Sequence, residues 1–154
     1  MQSIFTEEGK QNFITRINNL SPDAKAHWGE MNVAQMLRHC GLSINSTLAL
    51  NEQLKSSFGM KTMRFLFGKM AKKQVMNGGD MKKNMPTAKA FIVTGNHDFE
   101  TEKKNLIAAI EALHEKGKQK QLADKHPFFG KMSIEEWDTL HVKHLNHHLS
   151  QFGG

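Results

Sequence analysis

Four of the nine histidines fall in the last stretch of the chain, residues 133–152, SIEEWDTLHVKHLNHHLSQF: His141, His144, His147 and His148. On a helix each residue turns the chain by about 100°, so His144 and His148 stand about 40° apart on one face, one turn from each other. Ile134, Trp137, Leu145 and Phe152 share that face, His141 lies on it too, and His147 points elsewhere. The rings thus occupy the stripe expected to be buried. An inward imidazole pair at i and i+4 can hold one divalent metal, each nitrogen roughly 2.0–2.1 Å from the ion. The competing assignment is a set of hydrogen-bonded core histidines. Burial without a partner costs free energy for every ring added, so three rings on one stripe favour a metal.

A third ligand comes from an earlier helix. Asn32 can cap a helix running to about Leu48, with Val33, Met36, Leu37, Cys40 and Ile44 tracing its apolar face. His39 lies on the shoulder of that face, roughly 60° from Met36, and can reach an interior from the side. His39, His144 and His148 are therefore the candidate metal ligands. Cys40 reads as a small core residue whose inward position disfavours the thiolate. Gln35 and Gln151 are candidates to accept from the outer nitrogens of the ligands. His126 and His141 stand in reserve as a ligand, proton shuttle or anion contact, against a turn residue and a core hydrogen bond respectively. His27, His97 and His114 read as surface or loop histidines, and no residue is singled out as a catalytic acid or base.

These rings need helices to hold them. Residues 6–19 predict a first helix capped by Thr6, with Glu7 and Glu8 at its positive end and Phe5 packing back on its first turns. Trp28, in the link HWGEMN, reads as a buried plug. Residues 59–76 predict a short amphipathic helix bent at Gly68, followed by a long connection, 77–95, of the kind that is often functional or mobile. A helix over about 100–116 ends with Gly117 just past it. The stretch 117–132 reads as a connector carrying HPFFGKM. Ser133 and Glu136 form a capping box that starts the final helix.

Composition narrows the function classes. The 154 residues suit one domain over 1–154, with 38% hydrophobic residues to build a core. No apolar run approaches the ~20 residues that span a bilayer, and the start, MQSIFTEEGK, has no signal-peptide pattern. The single cysteine excludes an internal disulfide, disfavours a thiolate zinc site and fits a cytoplasmic protein. The net charge of +6 includes Lys55, Lys61, Arg64, Lys69, Lys72, Lys73, Lys82 and Lys83. A solvated lysine face is the simpler account of this segment. The alternative is a non-catalytic helical protein that binds an acidic partner or nucleic acid through it. Nucleic acid is disfavoured, because no basic motif with interleaved aromatics is present.

Three strings, WGEMNVAQMLRHC, HPFFGKM and KHLNHHLSQF, together resemble the DinB-like superfamily, and more narrowly one of its uncharacterised branches. The likeness covers roughly residues 10–50 and 100–152. It implies an all-α, four-helix-bundle fold with a divalent metal near one end, bound by a histidine of the second helix and a pair four apart in the last. By position these are His39, His144 and His148. Characterised relatives are thiol-dependent S-transferases and isomerases, and others are assigned as hydrolases. The expectation is therefore a metal-dependent transferase or hydrolase acting on a small molecule, with a low-molecular-weight thiol as one option. A homodimer stays open. Zinc is the default ion, and nickel, iron(II) and cobalt also accept three imidazoles. Three histidines leave a coordination position open, which can activate water for hydrolysis or hold a thiol as the thiolate.

Overall fold

In a computed structural model of the chain, local signals set the helix ends. The structure describes residues 2–49, 68–84 and 87–154. The Thr6 side chain accepts from the Gly9 backbone N–H and opens α1, Glu7–Asn18. Asn32 opens α2, Val33–Leu48, in a capping box with Gln35, and Ser133 opens α5, Ile134–Gln151, in a second box with Glu136. Asp98 accepts from Thr101 at the head of α4, Phe99–Lys118. Between α2 and α4 lie the short α3, Lys69–Asn77, and a 3-10 turn, Lys89–Phe91.

The described residues are mostly helical. Their only strands are β1, Lys125–His126, and β2, Gly130–Lys131, an antiparallel hairpin pairing Lys125 with Lys131 and His126 with Gly130. The sequence of residues 117–132 predicts a plain connector there. Gly130, at φ +75°, takes the left-handed conformation that lets the chain reverse.

Four helices share one core. α1 contributes Phe13 and Ile17, and α2 contributes Met36, Leu37 and Ile44. α4 adds Leu106, Ile110 and Leu113, and α5 adds Trp137, Leu145 and Leu149. The Trp137 indole N–H, buried with the ring, donates to the Ala123 carbonyl at 2.8 Å, which meets the requirement that a buried donor be partnered. α2 lies along α4, and α5 packs against α1 and α2, so the α5 histidines come to face α2.

Two expectations need correction. α4 runs through Gly117 to Lys118, with Gln119 as its cap and Lys120 following at φ +55°. Gly117 is there for space, because a Cβ would stand 2.2 Å from the Phe5 ring. Phe5 thus packs against α4. His114 is not a surface residue but fully buried, its two nitrogens meeting the Ile4 carbonyl at 3.0 Å and Glu7 at 2.8 Å. It ties the amino-terminal segment to α4.

The amphipathic helix expected over 59–76 is present from Lys69, and its earlier part lies outside the described residues, as do Lys55, Lys61 and Arg64. Lys72 pairs with Glu136 at 2.7 Å. From α5, the buried Lys143 donates to the Val75 and Gly78 carbonyls at 2.7 and 2.5 Å, putting a cation at the negative end of α3. No helix of the described residues is long and apolar enough to cross a membrane.

Candidate metal centre

α2 and α5 bring together the three rings singled out in the sequence. His39 Nε2 lies 3.1 Å from His144 Nε2. The ring centroids are 5.0 Å apart for His39 and His144, 4.7 Å for His39 and His148, and 4.7 Å for His144 and His148. One ring nitrogen from each lies within 4.8 Å of the other two. His39 and His148 are buried, and His144 keeps partial exposure to an adjoining cleft.

The outer hydrogen bonds fix how two of the rings are protonated. His39 Nδ1 lies 2.9 Å from the Phe91 carbonyl, which can only accept. The proton is therefore on Nδ1, and Nε2 carries the lone pair. Gln151 Nε2 donates to the Trp28 carbonyl at 2.5 Å, which turns Gln151 Oε1 toward His148 Nδ1 at 3.0 Å. His148 is protonated on Nδ1 by the same logic, and its Nε2 is the free base. Burial holds all three rings neutral at pH 7. It lowers His39, takes His148 down to about 4, and takes His144 well below its ordinary value, with the neighbouring rings adding to the last.

Nitrogens bound tetrahedrally to one ion at ~2.0–2.1 Å lie roughly 3.3 Å from each other. The observed 3.1 Å contact and the 4.8 Å limit bracket that spacing. Two neutral imidazoles with inward lone pairs, and a third whose Nε2 faces one of them, fit a divalent cation. A single proton could join only two of them.

The three rings open onto a cleft of about 990 Å³. Its walls include Trp28, Met81, Phe91 and Phe129, with Lys82 and His147. Trp28 is a half-buried wall of the cleft rather than a plug in the core. Lys83 Nζ lies 4.2 Å from the centroid of its ring, a cation–π distance, and His147 meets it edge-on at 5.6 Å. His147, expected to point away, thus belongs to the cleft.

The candidate outer residues divide. Gln151 sits beside His148 as expected. Gln35 does not serve His39, because its side chain is taken by the Asn32 N–H in the capping box and by the Gly95 carbonyl. The Phe91 carbonyl serves instead, and no side-chain pattern could have pointed to a backbone oxygen. The two reserve histidines stay out of the trio. His126 Nδ1 accepts from the Phe128 and Phe129 N–H groups at 3.1 Å each, holding the hairpin turn. His141 is buried and stacked on Trp137, and among the described residues it lacks the core hydrogen bond expected of it. Cys40 is buried as expected, and burial pushes its thiol far up. His27 is exposed, and His97 is half-buried beside Glu102.

The model of the family described as "Protein of unknown function (DUF1569)" matches residues 4–153. The chain belongs to this family. No curated protein and no solved structure gives a match. The match of the DUF1569 model takes in the helices that carry His39, His144 and His148 and the segment of Trp28.

Proposed function

We propose that this DUF1569 protein is a metal-dependent enzyme of the DinB-like kind, a single-domain four-helix bundle in which His39, His144 and His148 hold one divalent ion, zinc by default. The reaction class is thiol S-transfer or hydrolysis on a small molecule. The observation that carries the reading is that all three rings border a cleft large enough for a substrate. A purely structural site would be closed by a fourth protein ligand. A divalent ion held there supplies Lewis-acid activation of water or of a thiol at neutral pH.

The chain's own residues do the rest. The Phe91 carbonyl and Gln151 aim His39 and His148 and keep their Nε2 atoms unprotonated. Trp28, Phe91 and Phe129 form apolar walls that limit water around a bound molecule. Lys82 sets a cation on the same cleft, suited to an anionic group on the substrate.

The test is metal content and turnover together. Wild-type protein is expected to retain about one equivalent of ion and to transfer or hydrolyse small electrophilic or ester probes. His148→Ala should lose both properties. Equal and negligible metal in the two proteins would refute the reading, and metal without turnover would leave only a structural clip. The rival, binding of nucleic acid through the lysine-rich segment, predicts affinity at low salt that falls steeply as salt rises.

A further inference from the structure

Two rings of the trio donate their outer N–H to an oxygen, and the third does not. His144 Nδ1 is sealed from solvent and meets no hydrogen-bonding atom among the described residues. Both nitrogens of His141 are in the same condition. His141 stands one turn before His144 on α5 and is 1% exposed. Its ring lies nearly parallel to the Trp137 indole, 16° between planes and 6.0 Å between centroids. The ring is thus packed as an apolar group would be, yet it carries two polar atoms into the core.

Three such nitrogens within one helical turn forfeit the hydration they have in the unfolded chain. Folded proteins meet groups like these with internal water, which makes about three hydrogen bonds to otherwise orphaned atoms. For His144 the need is specific. To present its Nε2 lone pair beside that of His39 it must carry its proton on Nδ1, and that proton needs an acceptor.

We infer that His141 and His144 build a buried hydration site, in which one water accepts from His144 Nδ1 and donates to a His141 ring nitrogen. His141 is then the positioning residue for the third ring, as the Phe91 carbonyl and Gln151 are for the other two. The inference rests on the reading that the trio holds a divalent ion.

The test compares wild type with His141→Phe and His141→Gln. Phenylalanine keeps the ring stacked on Trp137 and removes both nitrogens. Glutamine restores a donor and an acceptor. Zinc affinity is measured by chelator competition, and the His144 Nδ1 proton is followed by NMR in the zinc-loaded protein. The Phe variant is expected to bind zinc ~10–100-fold more weakly and to lose the slowly exchanging Nδ1 proton, with an undiminished metal-free melting temperature. The Gln variant is expected to recover most of the affinity. Zinc binding by the Phe variant equal to wild type would overturn the inference. A Gln variant that binds zinc as weakly as the Phe variant would overturn it as well, because packing would then be the cause. Wild-type protein that takes up no zinc would overturn this inference and the metal reading together, whereas a zinc-binding wild type with an unaffected Phe variant overturns this one alone.

Discussion

His39 Nε2 and His144 Nε2 stand 3.1 Å apart although 105 residues separate them in the chain. The Phe91 carbonyl fixes the first as a lone pair, so the contact closes either by a proton on His144 Nε2 or by a cation that both lone pairs share. His39→Ala and His144→Ala should each weaken zinc binding by ~100-fold or more, beyond what loss of an outer partner costs. Their metal-free stability should change far less. Chelator competition beside thermal melts separates the two effects, and parallel loss of both would mean that the rings are structural.

Gln151 links a ligand to the cleft wall. It accepts from His148 Nδ1, donates to the Trp28 carbonyl, and its own carbonyl takes the His27 N–H at 2.8 Å. Gln151→Leu should lower zinc affinity by ~10–100-fold. It should also cost ~1–3 kcal/mol in denaturant unfolding from the polar groups left behind. Unchanged zinc affinity would show that His148 is aimed by packing alone.

Gly29 sits where no side chain fits. Its φ is +78°, and a Cβ would lie 2.7 Å from Gln151 Nε2. Gly29→Ala should cost ~1–2 kcal/mol from the left-handed backbone, plus a further amount from displacing Gln151. The second part should vanish in a Gln151→Ala background, so a double-mutant cycle is expected to show non-additivity. Strict additivity would argue against the contact.

His126 should make stability depend on pH. Burial takes its pKa down to about 4, from an ordinary value of 6.5. Between those values the unfolded chain binds the proton and the folded chain does not, so stability falls as pH drops through this window. Above 6.5 both forms are neutral, and the contribution is constant. The stability difference between wild type and His126→Asn should shrink with a slope approaching ~1.4 kcal/mol per pH unit between the two values. A flat difference across pH 4 to 6.5 would contradict this.

What the sequence made legible were features with a local or periodic signature. Thr6, Asn32 and Ser133 mark helix starts through their side chains, and His39, His144 and His148 follow from facing on two helices. The rest depends on what arrives from elsewhere. Gly117 looks like a helix stop until Phe5 is seen resting on it. His114 reads as a surface residue because its partners, Ile4 and Glu7, lie more than a hundred residues away. Gln35 has the right spacing to serve His39, but the capping box claims it first, and a backbone oxygen of the 77–95 connection does the work. Trp28 and His147 become cleft walls only when that connection folds over α5.

Whether His39, His144 and His148 hold one ion is decided by X-ray absorption at the metal edge of zinc-loaded protein. The expected spectrum shows three imidazole nitrogens at ~2.0–2.1 Å with a further light-atom ligand, and one imidazole fewer in His39→Ala. A spectrum with a single imidazole or none, or one that His39→Ala leaves unchanged, would contradict the shared ion.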